Sequence, residues 1–286
     1  MSTEITVERA PGWHDNLPDH EYHADHGSLS ASGAKLLAHR TPLEFWWAQT
    51  HPPVRKREFD LGHAAHRLIL GKGAEIEELE FPNYNTKLSR EKRDAAYDAN
   101  RIPLLSKQHE QVKAMAERAL KHPLGAALFS EGGIAERSGW WFDEQAGIWC
   151  RVRPDWMIEF DDVLYIVDVK TCADADPAVF AKAAIRFRYF QQQPFYVNGV
   201  RILTGTAKRI VFLLFAVSTT PPYLITTHYC TEAAEAEGER ANRKAMRIFA
   251  RCMQTGHWPE YPIDPYPIGL SKWHALTPEE STYDEH

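Results

Sequence analysis

Residues 151–170, RVRPDWMIEFDDVLYIVDVK, decide how the rest of the chain reads. Two strands joined by a tight polar turn are expected: Arg151 to Phe160, the turn Asp161-Asp162, and Val163 to Val169. The second strand is almost wholly apolar or β-branched, which suits a strand covered on both faces. Two acids interrupt the pair: Asp155, directly after Pro154, and Asp168, two residues before Lys170. An ionised carboxylate inside a dry sheet is costly unless it is paired or holds a metal. Residues two apart in a strand face one side, so Asp168 and Lys170 point into one cleft. Val169 points away, yet its carbonyl can still reach a metal.

That set fits Mg²⁺ or Mn²⁺, hard cations that take oxygen ligands and keep several waters. It therefore fits metal-assisted hydrolysis of a phosphodiester, with Lys170 orienting the water or stabilising the transition state. A salt-bridged hairpin without catalysis is the structural alternative.

Working outward, the aromatic strand pair around Glu136 and Trp140-Trp141-Phe142 turns at residues 143–147 and feeds the Ile148–Phe160 strand. After Lys170, Pro177 marks a helix start, and a helix is expected from about Ala178 to Val197, kinked or broken at Pro194. Arg209 to Val217 reads as a buried strand, Leu224 to Cys230 as an edge strand, and Thr231 to Cys252 as a long amphipathic helix.

Upstream, residues 1–27 lack a clear period and read as an arm or loosely packed lead-in. Ser28 to Ser32 opens a helix that Ser30 or Ser32 can cap. Phe45, Trp46 and Trp47 form an aromatic knot, for which core packing outweighs base stacking. Glu58 to Leu70 reads as a helix carrying His63 and His66 on one face, as ligands or as hydrogen-bonded packing residues. Lys87, Arg90, Lys92 and Arg93 cluster in a polar stretch that either grips phosphates or forms a solvated helix face. Ser106 is expected to cap a helix running to about Lys121.

The 286 residues suffice for a sizeable core, and the order of elements gives an α/β fold with a sheet flanked by helices. A net charge of −6 counts against a protein that coats nucleic acid, though not against an enzyme with a local basic groove. No apolar run reaches membrane-spanning length and no signal peptide is evident, so no membrane partner and a cytoplasmic setting are expected. Cys150, Cys172, Cys230 and Cys252 lie far apart without a CxxC, which argues against a zinc ribbon or an iron–sulfur cluster.

Together these residues resemble the PD-(D/E)XK nuclease superfamily, and more closely the nuclease domain of the RecE-type exodeoxyribonuclease VIII of phage and prophage recombination. The resemblance rests on Tyr22-His23, the SLSASGAK run from Ser28 to Lys35, Gly62 and His66 at a Gly-x-x-x-His spacing, and Glu136. It continues through Arg153-Pro154-Asp155, Asp168-Val169-Lys170-Thr171, Arg188-Tyr189, and Gln192 with Tyr196 at a Gln-x-x-x-Tyr spacing. Gln191 to Gln193 are consecutive, so the choice of glutamine stays open by one residue.

The resemblance implies a PD-(D/E)XK-like mixed sheet with extra N-terminal helices, spanning 28–268, with an arm at 1–27 and a tail at 269–286. It implies that His66, Asp155, Asp168 and the Val169 carbonyl hold the metal, with Glu136 a further candidate. Lys170 would be catalytic, Gln192 and Tyr196 would position the scissile phosphate or the lysine, and Arg153, Arg188 and Tyr189 would meet DNA, joined by Lys87, Arg90 and Arg93 if the basic stretch grips phosphates. It implies a Mg²⁺-dependent exonuclease that degrades linear double-stranded DNA from an end, 5′ to 3′, leaving 3′ single strands. A single-strand annealing partner and a homo-oligomeric ring, in a bacterial or phage-infected cell, belong to the same picture. A same-fold nuclease of other polarity, an endonuclease and a non-cutting DNA-end-binding protein are the alternatives.

Overall fold

The computed structural model describes residues 10–51, 57–265 and 268. Strand β1 (Gly12–His14), helix α1 (Asp19–Ala24) and strand β2 (Ser28–Ser30) come first. Helix α2 (Ala31–His39) begins where the Ser30 hydroxyl accepts the Gly33 amide at 3.2 Å. Helix α3 (Pro42–Thr50) begins at a capping box of Thr41 and Glu44, with Pro42 in its first turn. A 3₁₀ turn (Arg57–Phe59) leads into α4 (Asp60–Leu70), which Gly71 ends at φ 71°. Next come β3 (Ile76–Leu79), α5 (Lys87–Asp98), β4 (Ile102–Leu105), α6 (Ser106–Lys121) and α7 (Pro123–Leu128). Five strands follow: β5 (Ile134–Ala135), β6 (Ser138–Asp143), β7 (Ile148–Val152), β8 (Trp156–Phe160) and β9 (Val163–Cys172). The described chain closes with α8 (Pro177–Arg186), α9 (Tyr189–Thr204), β10 (Arg209–Ser218), β11 (Ile225–His228) and α10 (Glu232–Thr255).

Strands β11-β10-β9-β8-β5 form a mixed sheet, β1-β6-β7-β2 a second sheet, and β3-β4 a parallel pair. In the mixed sheet β9 and β10 run parallel from Val163 opposite Arg209 to Cys172 opposite Ser218. The β8–β9 hairpin pairs Phe160 with Val163 around the Asp161-Asp162 turn, where Asp161 takes φ 48°. The two-residue period of β9 divides its side chains between two cores. Val167 and Val169 pack with Ala64, Ala65, Met115, Phe215 and Val217, under α4 and α6. Leu164 and Ile166 pack with Phe180, Val200, Phe212 and Leu214, under α8 and α9. A third core joins the second sheet to α2, α9 and α10 through Leu37, Trp141, Cys150, Phe195, Ala245 and Phe249. Helix α9 is therefore covered on several sides, and Gln191 to Phe195 are all buried.

The structure corrects several expectations. The Arg151–Phe160 strand is two strands in two sheets. Strand β7 ends at Val152, Pro154 cannot donate to a ladder, and the chain re-enters pairing at Trp156 in the mixed sheet. The expected 178–197 helix breaks at Phe187-Arg188, where Arg188 takes φ 57°, and not at Pro194, which lies inside α9. Pro194 has no N–H for the Phe190 carbonyl, and Gly238 of α10 covers that oxygen: a Cβ at Gly238 would come within 2.3 Å of it. Leu105 takes the cap position of α6, and Ser106 is its first residue. Ser28 to Ser30 form a strand parallel to β7 before the helix begins. Of the arm at 1–27, residues 1–9 lie outside the described residues, but β1 pairs with β6 and Tyr22 is buried. Aromatic packing of Tyr22 and His14 on Trp140 draws this segment onto the sheet. The tail at 269–286 lies outside the described residues. Phe45 is buried and stacks on Trp258, while Trp47 is 60% exposed and stacks on His51. No helix among the described residues is long and apolar enough to cross a membrane.

Candidate active site

The pairing of β8 with β9 stops at Trp156 opposite Val167, so Val169 lies beyond that ladder. Its amide and carbonyl meet side chains in place of a neighbouring strand. The Val169 amide donates to Asp155 Oδ2 at 2.9 Å, and His66 Nε2 donates to the Val169 carbonyl at 2.7 Å. His66 Nδ1 lies 3.6 Å from Asp155 Oδ2. Helix α4 comes this close because Gly62, one turn before His66, faces Thr171: a Cβ there would come within 3.1 Å of Thr171 Oγ1. His63 is exposed, and of the two histidines it is His66 that meets Val169 and Asp155.

On the other face of β9, Asp168 is 2% exposed. Its Oδ1 accepts from Gln192 Nε2 at 2.5 Å, and its Oδ2 is ion-paired with Lys170 Nζ. The Lys170 ammonium lies 4.9 Å from the centre of the Tyr189 ring. Lys35 of α2 brings a second ammonium to that ring, at 5.7 Å. Lys35 lies in the SLSASGAK run, and nothing local marks it out for chemistry; only the packing of α2 beside α9 reveals it. The Tyr196 hydroxyl donates to the Arg153 carbonyl at 3.2 Å, and the Glu136 amide donates to the Asp155 carbonyl at 3.1 Å. Both contacts hold the loop that carries Asp155.

The charges are strongly perturbed. Burial pushes the Asp155 carboxyl up to about 6; His66 opposes this, and the Asp168 charge adds to it. Burial alone would lower the Lys170 ammonium, but Asp168 and Asp155 outweigh it and hold Lys170 above the usual lysine value. Lys170 is thus a fixed cation. Burial, joined by repulsion from Lys170, lowers Lys35 to about 8.

The residues present fit a hard divalent cation. Two carboxylates, one backbone carbonyl and one imidazole lie about this end of β9, the donor types such a cation takes, with Asp168 Oδ2 buried and met by Lys170. Among the described residues no three His, Cys, Asp or Glu side chains form a ready-made cage. In this arrangement Asp168 is turned to Gln192 and Lys170, and the Val169 carbonyl to His66.

Other candidates take different places. Gln192 and Tyr196, expected to position the phosphate or the lysine, reach Asp168, the partner of Lys170, and the Arg153 carbonyl. Gln192 is the glutamine of the site, because Gln191 faces His39 and Gln193 faces Glu235 and the Cys230 amide. The Glu136 carboxylate sits near Gly73, 3.8 Å from where a Cβ on that glycine would stand. Each nitrogen of Arg153 has a partner, in Ser138, Asp19 and the Leu17 carbonyl, and its guanidinium lies over Tyr22. Arg90 binds the carbonyls of Tyr84 and Asn85, and Arg93 pairs with Asp94 and lies over Tyr84. Lys87 is exposed beside Glu91. Arg188 marks the turn into α9, while Tyr189 belongs to the site as the ring beneath both lysines.

A family model described as a PDDEXK-like domain of unknown function, DUF3799, matches residues 34–263. A crystal structure from Eubacterium rectale named "Putative exonuclease" superposes with a TM-score of 0.62 at 12% identity. That match covers 93% of this chain and 100% of the other, and it shows a shared fold. No curated protein matches the chain.

Proposed function

The chain belongs to the DUF3799 family of PDDEXK-like domains, and from that premise we propose that it is a metal-dependent nuclease that shortens double-stranded DNA from an end. The observation that carries this reading is the meeting of Asp155, Asp168 and Lys170 at one end of β9, with His66 supplied by a distant helix. A binding protein has no need to bury two acids beside a lysine and support each of them separately.

Asp155, Asp168, the Val169 carbonyl and His66 would hold the cation. When bound, a divalent cation offsets negative charge on the phosphate and lowers the pKa of a nearby water. Lys170 remains protonated and donates to the phosphate oxygen on which charge builds, or to the attacking water. Water adds to phosphorus, the bond to the leaving oxygen breaks, and that oxygen takes up a proton. Gln192 keeps Asp168 oriented, and Tyr196 with the Glu136 amide keeps the Asp155 loop in place.

Mg²⁺ as the working ion, 5′ to 3′ direction, a 3′ single-stranded product, a ring assembly and a single-strand annealing partner are proposed on the resemblance to exodeoxyribonuclease VIII. The name of the Eubacterium rectale structure supports action at an end. End-labelled linear duplex and closed circular duplex, with Mg²⁺ and with chelator, test the proposal. We expect release of mononucleotides from the linear substrate alone, abolished by chelator, and a Lys170→Ala variant that binds ends without cutting. Cutting by Lys170→Ala at the parent rate, or an intact linear substrate with every divalent ion, overturns it. The polarity follows from which labelled end is released first.

A further inference from the structure

We propose that Lys35 and the Tyr189 ring form a second phosphate subsite, which holds a phosphate of the nucleic acid strand other than the one being cut. The ligand class rests on the nuclease reading; the subsite itself rests on the surroundings of Lys35. Its ammonium is half-buried, 5.7 Å from the centre of the Tyr189 ring, and makes no hydrogen bond or ion pair among the described residues. Lys170, on the same ring, has Asp168 as its partner. Lysines withdrawn from water are ordinarily paired, because desolvation penalises an unmatched charge. Here burial and the like charge of Lys170 both press against the charge on Lys35, and Asp168 offsets them only in part.

The aromatic face attracts a cation without supplying an anion that would compete with a ligand. A phosphate would provide the missing negative charge, and a lysine suits it as a compact point charge. Two ammonium groups on one ring, one of them paired with Asp168, leave the other to meet a further phosphate of the same strand. Lys35 is held in place, since its helix neighbours Ala31, Ala34, Leu37 and Ala38 are all buried in the core.

The test uses the full chain and a set of duplexes that differ in one phosphate each. Either the terminal 5′-phosphate is removed, or one diester near the end becomes an uncharged methylphosphonate. Binding is measured in chelator and cutting with Mg²⁺, for the parent, Lys35→Met and Lys35→Arg. We expect Lys35→Met to bind the unmodified duplex several-fold more weakly, with a salt slope smaller by about 1. At one position the uncharged group should weaken the parent by that same factor and have no further effect on Lys35→Met. That position identifies the phosphate as terminal or internal. Lys35→Arg should keep most of the affinity. Equal binding by parent and Lys35→Met, losses that multiply at every position, or no duplex binding by the parent overturns the subsite. A parent that binds but cuts with no divalent ion overturns the nuclease reading instead, and the binding comparison still decides the subsite.

Discussion

Gln192 gives its side-chain amide to Oδ1 of Asp168 at 2.5 Å, joining helix α9 to strand β9 inside the core. An acid held this way is oriented before any cation arrives, as in other sites where groups behind the ligands aim them. Replacing Gln192 with Ala should lower the cutting rate by about 10–100-fold and raise the Mg²⁺ concentration needed for half-maximal rate. Gln191→Ala and Gln193→Ala face elsewhere and should leave the Mg²⁺ requirement unchanged. A Mg²⁺ titration of the three variants checks this; an unaltered requirement in Gln192→Ala would refute it.

The Asp155 carboxyl is raised from 3.8 to about 6 in the folded protein, chiefly by burial. The folded state then binds this proton more tightly than the unfolded chain does. Ionisation therefore costs stability as the pH climbs through 6, and the cost vanishes below 3.8. With chelator present, Asp155→Asn should be more stable than the parent at pH 8, by on the order of 1–3 kcal/mol, with the gap closing towards pH 4. Urea unfolding at the two pH values measures it, and an Asn variant less stable at pH 8 would contradict the electrostatic account.

Metal addition should show the opposite pH preference. Cation binding needs the ionised carboxyl, so Mg²⁺ should raise Tm at pH 8 and much less at pH 5.5. At a hundredfold excess over Kd the gain should reach about 2.7 kcal/mol. His66→Ala should shrink the shift at pH 8. Thermal melts with and without chelator decide the point, and a shift of equal size at both pH values would rule out Asp155 as a ligand.

Gly238→Ala tests the seam between α9 and α10. The added methyl would stand 2.3 Å from the Phe190 carbonyl and force the helices apart, at a cost of about 1–3 kcal/mol. Because α9 carries Gln192 and Tyr196, cutting should fall as well. A lower urea midpoint together with slower cutting is the expected pair of results; an unchanged midpoint would show that the seam yields freely.

What could be read from the chain was what local chemistry dictates. The apolar run of β9, the turn at Asp161-Asp162 and the shared face of Asp168 and Lys170 follow from a two-residue period. Gly62 and His66 stand one helical turn apart, and the structure sets both against β9. Where reading failed, the deciding partner was remote. Pro194 looks like a break, yet Gly238, 44 positions on, covers the carbonyl it leaves free. Arg188 turns the chain left-handed without a glycine to announce it. The contacts that Asp19 and Leu17 make with Arg153 come from more than 130 positions away and leave no local sign. The surroundings of Lys35 leave no local sign either, since the ring and the lysine beside it lie more than 130 residues away.

The passage of the chain from one sheet to the other at Arg153–Asp155 has a practical outcome. Asp155 stands at the crossing, so both sheets must be assembled before it can face Asp168. A copy clipped or frayed at either sheet would lose one of the two anchors of the Asp155 loop, and with it the meeting of Asp155 and Val169.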